Sequence, residues 1–496
     1  MGVGPPRVDK YMRLLSRLFE FLALFHILKR ANGPHTVSQP PTDLQSTRRR
    51  FLSSLCFICD YQKGGKTTTS MALEFLDNSV VVFWIASNVS PNNRVLAFLS
   101  TVLETLRREP NSTDTERETL IAMLTARYIE FAAPRLRKER AILHRSIRFC
   151  ETYLTANLGT IETPGVTALL EWFTQFSATA DPLILCQTAY NARHAPQMVT
   201  LEALRQELIV APQGTAEAFR SVKHLIGRLA EKIRIPINLV NDSCLLRPLL
   251  DSYEIRRVEA PVAAKMPMAD GLRNLDSILR RMLPAGDSRL KDMQAYLGQL
   301  DSSIRLEDAI RAMHDDDQTN HGVHAEIQML EDFHRNRRKF VGNDRYIACS
   351  KLACLCCKFY FKWHPGRFIE PESHQKSYLT WRPIDLPEGG DSQHWLDQRR
   401  VLANVSKELS NLVQEQIISQ QQPSPWQPDS VTNITAAMGS VSFSEIGEAF
   451  ESGDGESNVT DSESLAHLND GETVGNTDDE SGDSDEESDG GVGLAD

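Results

Sequence analysis

The 496-residue chain has no Lys or Arg after Lys407, while residues 408–496 hold 21 Asp and Glu. The total charge of −12 therefore conceals a mildly basic body. Residues 1–407 carry 54 basic against 45 acidic groups, a net of +9. Long apolar runs are missing too. The N-terminal stretch Phe21 to Leu28, with His26 inside it, is too short to span a bilayer. No small-residue cleavage site follows it, because Lys29, Arg30, Ala31 and Asn32 come next. Pro6 stands where N-myristoylation needs Ser or Thr. These absences predict an intracellular protein, in cytoplasm or nucleus, that is neither secreted nor held at a membrane. A disulfide framework is also lacking: the nine cysteines are odd in number, and four fall within residues 349–357. That crowding points to reduced thiols and a metal site. The helical stretch 51–275 shows no fixed-period repeat. A triphosphate-binding loop is excluded. Lys63-Gly64-Gly65-Lys66-Thr67-Thr68 imitates its end, but Asp60 occupies the place of the first Gly and no clean strand precedes it.

What is there divides into five stretches. Residues 1–50 read as an N-terminal helix and a linker. Leu14, Leu15, Leu18, Phe19 and Leu22 interleave with Arg13, Arg17 and Glu20 at helical spacing, which predicts a docking helix. Pro and Ser/Thr mark 31–50 as linker. Residues 51–275 read as a mostly α-helical domain, with windows at Val95–Arg107, Thr115–Ile129, Ala141–Leu158 and Thr215–Ile233. One strand-like run, Val80 to Ile85, interrupts it. Residues 276–395 mix helix and strand and contain nearly all the chemistry. Residues 396–450 read as a helix and a linker. Residues 451–496, with 16 acidic and no basic residues, cannot offset their ordering entropy by burial, which predicts a disordered acidic tail.

Two segments carry the chemistry. Val323, Ile327, Leu330 and Phe333 give a helix beginning near His324 one buried face. Arg345 to Cys349 reads as a strand, with Ser350 as the expected N-cap of the helix after it. Cys354 and Cys357 then share a face near a helix start, where the dipole favours the thiolate. His324, Cys354 and Cys357 fill three positions of a zinc ion and leave a fourth open, which supplies a nucleophile for hydrolytic deamination at neutral pH. Glu326, two residues beyond His324, suits the proton shuttle that this chemistry needs.

Here the sequence resembles the cytidine-deaminase-like superfamily. More narrowly, it is similar to a deaminase family abundant in filamentous fungi that pairs His-Ala-Glu with Ser-Lys-x-x-Cys-x-x-Cys. The matching positions are His324, Ala325 and Glu326, then Ser350, Lys351, Cys354 and Cys357. His374-Gln375-Lys376 and Trp381-Arg382-Pro383 look like the segment that closes the family's domain. The resemblance implies an α/β fold, an α/β/α sandwich around a mixed sheet, with a Zn2+ cofactor. It implies a hydrolytic deaminase of an amino-bearing base, cytosine before adenine. One departure stands out: the superfamily's Pro before the first cysteine is Ala353 here.

Other readings compete. A closed structural zinc site could take His324, Cys349, Cys354 and Cys357, with Glu326 idle and the chain acting as an interaction protein. The basic body suits a nucleic-acid-binding module without turnover, and Arg335-Asn336-Arg337-Arg338-Lys339 is either a solvated helix end or a phosphate-contacting rim. Cys356 and the Cys56–Cys59 pair read as buried thiols. Lys351, His374 and Trp381 are the candidate substrate contacts, Trp381 suiting a core position equally well. The expected partners are a nucleoside or single-stranded nucleic acid, and a second copy of the chain in a homo-oligomer.

Overall fold

The computed structural model describes residues 10–28, 43–76, 80–108, 113–177, 179–208, 214–265, 274–316, 318–386 and 392–420. The predicted acidic tail lies outside these residues. Two compact units divide them: one draws on 10–62, 66–131 and 235–420, the other on 63–65 and 132–234.

The first unit opens with helices α1 (Lys10–Leu28) and α2 (Leu44–Cys59), then strands β1 (Thr69–Phe75) and β2 (Val81–Ser87). Helices α3 (Asn93–Arg108) and α4 (Asp114–Phe131) follow. The second unit holds α5 (Ala133–Ala156), α6 (Val166–Ser177), α7 (Pro182–Ala192) and α8 (Gln197–Glu207). Helix α9 (Thr215–Leu245) begins in the second unit and ends in the first. The first unit then continues with α10 (Pro248–Asp251), β3 (Tyr253–Arg257), α11 (Leu275–Met282), α12 (Leu290–Ile304) and α13 (Leu306–Asp315). It closes with α14 (Ala325–Arg335), β4 (Ala348–Cys349), α15 (Leu355–Trp363) and α16 (Gln393–Ser419).

The four strands form one mixed sheet in the order β3-β2-β1-β4. β1 pairs antiparallel with β2 and β4, and β2 pairs parallel with β3. All seven residues of β2 are buried, as its run of Val, Phe, Trp and Ile requires of a strand covered on both faces. Ala72, Val82, Trp84 and Ala86 point into the core shared with α1, α14, α15 and α16. The alternate residues Met71, Leu73, Phe83 and Ile85 are equally buried and lie outside that core. Helix α2 packs on β1 and β4, and α14 on β1 and β2. The result is the α/β/α layering that the resemblance implied.

Three strands come from residues 69–87 and 253–257, so the sheet beside the chemistry draws on much more chain than 276–395. Residues 44–50, read as linker, form the start of α2, whose N-cap Asp43 accepts from Ser46 N at 2.8 Å. The amphipathic N-terminal helix docks as its pattern requires, against α16 and α13. No helix among the described residues is long and apolar enough to cross a membrane.

The second unit is helical and has an ionic centre. Glu139 on α5 accepts from Arg135 Nε at 2.8 Å, with Arg228 Nε at 3.8 Å and Lys232 Nζ at 3.9 Å, all four side chains buried. Burial alone would raise the Glu139 pKa, but Lys232, Arg135 and Arg228 hold it at about 2.

Candidate metal centre

Helix α14 starts at the end of the sheet where β2 finishes. His324 is its N-cap residue but makes no side-chain capping bond. The first-turn N–H of Ala325 instead donates to Asn88 Oδ1 at 2.8 Å, from the residue that follows β2. The His324 ring is thereby free to face the cysteines.

The cysteines are held from two sides. β1 fixes the end of β4, with Ser70 paired to Cys349, Ser350 N donating to Thr69 O at 2.8 Å and Thr69 N donating to Ser350 Oγ at 3.0 Å. Ser350 is therefore a sheet-edge residue and not the N-cap expected of it. The N-cap of α15 is Cys354, whose Sγ accepts from Cys357 N at 3.4 Å. Between these two points Ala353 N donates to Glu372 O at 2.8 Å, a bond that the superfamily's proline could not make. His374 N returns a bond to Ala353 O at 3.2 Å.

His324 Nδ1 lies 3.6 Å from Cys354 Sγ and 3.4 Å from Cys357 Sγ. The three ligand atoms all fall within 4.8 Å of one another, the one such group among the described residues. Nitrogen and sulfur donors at the usual zinc distances, in tetrahedral array, stand about 3.5–3.8 Å apart. The spacing fits. Burial opposes charge on both His324 and Cys354, yet their mutual attraction overrides it. His324 rises to about 8 through the Cys354 charge, and Cys354 falls to about 6 through its hydrogen bond with the Cys357 side chain and then through His324. Burial and the Cys354 thiolate push Cys357 well above the ordinary thiol range.

Residues 323–385 match the OTT_1508-like deaminase family. It is a cytidine-deaminase-like family, and the His and Cys-x-x-Cys arrangement fits it. No curated protein and no solved structure matches the chain. The matched segment includes His324, Cys354 and Cys357, the group that could hold a metal.

Glu326 sits on the first turn of α14, 4% exposed, with Oε1 3.9 Å from His324 Nδ1. The carboxylate lies beside His324, Cys354 and Cys357 and is not one of that group. Cys349 is not a member of the group. Its sulfur lies 4.0 Å from Glu326 Oε2, and burial, followed by the Glu326 charge, pushes its thiol well above the usual range. Cys356 is buried and held protonated by the same desolvation, as are Cys56 and Cys59 on α2. Lys351 is half-buried, and its charge is felt at both His324 and Cys349.

His374 is buried, its Nδ1 accepts from Lys376 N at 3.1 Å, and its ring meets Tyr378 edge-on at 5.7 Å. Trp381 is 1% exposed, and its Nε1 donates to Cys357 Sγ at 3.2 Å. Tyr378, half-buried and 5.9 Å from the His324 ring, was not singled out from sequence. Its place between His374 and Trp381 was the available signal.

The basic run stands at the far end of α14 from His324, about 16 Å away by helical rise. Arg338 pairs with Asp332 at 2.6 Å and Glu74 at 3.3 Å and lies 3.7 Å over the Trp84 ring. It closes the back of the sheet.

Proposed function

We propose that the chain is a zinc-dependent hydrolytic deaminase of an amino-bearing nucleobase, cytosine before adenine, in a nucleoside or nucleic acid. One juxtaposition carries the reading: His324 Nδ1 stands 3.6 and 3.4 Å from the Cys354 and Cys357 sulfurs, with the Glu326 carboxylate beside them and outside that group. A structural zinc site takes four protein ligands, and here Cys349 turns to Glu326 instead. Held by His324, Cys354 and Cys357, zinc would supply the activation of a water molecule at neutral pH.

Glu326 has the proton work. Its carboxylate takes one proton from the attacking water and delivers it to the ring nitrogen. It then takes the second proton from the hydroxyl now on the ring carbon and delivers it to the amine, which leaves as ammonia as the C–N bond breaks and the C=O forms. Cys349 stays a neutral thiol against Oε2, so no second anion crowds that carboxylate. Tyr378, half-buried beside the His324 ring, and the neighbouring His374 support a base-binding role, the tyrosine ring offering a face for stacking. Lys351 adds positive charge on the same side, which suits a phosphate-bearing substrate.

Ammonia release from a panel of nucleosides and single-stranded oligonucleotides tests the reading, comparing the zinc-loaded chain with Glu326→Ala. Release from a cytosine-bearing substrate by the unaltered chain alone is the expected result. Equal release by the variant, or none from any substrate, refutes it.

A further inference from the structure

A buried indole N–H needs an acceptor, and Trp381 finds an unusual one. No backbone carbonyl takes it; the acceptor is Cys357 Sγ, 3.2 Å away. The same sulfur is 3.4 Å from His324 Nδ1, so Trp381 touches the ligand group from its buried side. The backbone around the indole is fastened to the approach to His324. Gly322 N donates to Thr380 O at 2.9 Å, and Arg382 N donates to Gly322 O at 3.1 Å. One short segment thus grips both a cysteine ligand and the strand-like stretch two residues before the histidine ligand.

An N–H aimed at a thiolate draws charge from it and fixes the direction of its lone pairs. A sulfur so held donates less charge to a bound ion, which stays more electrophilic, and it loses less freedom on binding. We propose that Trp381 is a positioning residue of the metal centre, its Nε1–H orienting Cys357 Sγ and setting both the affinity for metal and the ion's electron-withdrawing strength. This rests on the metal-binding part of the function proposed above, and it gives Trp381 a role through Cys357 in place of substrate contact.

Cobalt(II), bound by the full-length chain in place of zinc, is the probe. Trp381→Phe keeps an aromatic ring and removes the N–H. Benzothienylalanine at the same position removes only the N–H and keeps the ring's shape, so it reads the bond even if the phenylalanine variant does not fold. Tyr360→Phe is the packing control. Tyr360 meets Trp381 edge-on at 6.3 Å, and its hydroxyl donates to Glu331, away from the ligand group.

Both 381 variants should shift the sulfur-to-cobalt charge-transfer band to longer wavelength, while Tyr360→Phe leaves it in place. Chelator competition should show zinc held about 10- to 100-fold more weakly by the 381 variants. An unchanged band and affinity in the folded 381 variants overturns the inference and leaves the deaminase reading intact. An equal shift in Tyr360→Phe also overturns it, because packing alone would then account for the effect. Failure of the unaltered chain to take up cobalt, or uptake undiminished in Cys354→Ala and Cys357→Ala, refutes the metal centre itself.

Discussion

Asn88→Ala separates the support of the metal centre from its ligands. His324 occupies the N-cap position of α14, but its ring is turned to Cys354 and Cys357, so the capping is done by a residue 237 positions earlier in the chain. Replacing a capping Asn by Ala costs about 0.5–2 kcal/mol, typically about 1. The bond here is short, at 2.8 Å, and partly buried, which places the loss in the middle of that range or above. The cost falls on the turn that carries His324 and Glu326. Metal affinity should therefore drop by about fivefold for each kcal/mol that the metal-bound arrangement loses relative to the metal-free one. Asn88→Asp keeps an acceptor and places negative charge at a helix N-terminus, so it should recover most of the loss. Chelator competition on the zinc-loaded chain, with thermal melts beside it, reads both variants. Equal affinities for the unaltered chain and Asn88→Ala refute the argument, and so does an aspartate variant as weak as the alanine one.

Glu326→Gln should keep the metal and the fold while lowering the ammonia-release rate by about 10²–10⁴-fold; retention of half the rate removes Glu326 from the chemistry, and lost zinc makes it a ligand. Cys349→Ala should keep one zinc per chain by metal analysis, whereas Cys354→Ala and Cys357→Ala lose it; equal loss in all three restores the four-ligand site. Glu139→Gln removes the carboxylate that faces buried Arg135 and Arg228 and the Lys232 amine, whose pKa burial lowers to about 7, and should cost about 3–5 kcal/mol in urea unfolding. Because its folded pKa is held near 2, below the ordinary value of 4.5, the stabilisation from Glu139 is complete above about pH 4.5. It is lost as the pH falls toward 2, and a variant with the acid-unfolding curve of the unaltered chain refutes that assignment.

The ligand group was legible because its chemistry sits in two short segments. His324, Cys354 and Cys357 announce themselves by residue type and spacing, and the spatial convergence follows from them. The helices were legible from apolar periodicity, down to α14 beginning beside His324. β2 was visible through its β-branched run, but β1 was not, because Ser70, Met71, Ala72 and Glu74 carry little strand preference outside the sheet. β4 is two residues long and exists only because β1 holds it. The support of the site was equally hidden. Asn88 and Trp381 act on residues 237 and 24 positions away, and no local pattern encodes such a pairing. Ser350 misled for the same reason: its hydroxyl suits a helix cap, yet the backbone of Thr69 claimed it first.

The pairing of β1 with β4 also sets a clock. Ser70 Oγ bonds to Ala348 O, 278 residues further along the chain. A ribosome adding about 5–20 residues per second takes roughly 15–55 s to cover that interval. Throughout it, the open edge of β1 offers unpaired backbone groups to any strand that passes, a hazard that nascent chains meet with chaperones. Any metal held by His324, Cys354 and Cys357 would have to wait for the end of the same interval, since both cysteines emerge only after β4 has been made. The group that could hold a metal, His324 with Cys354 and Cys357, is thus complete only late in synthesis.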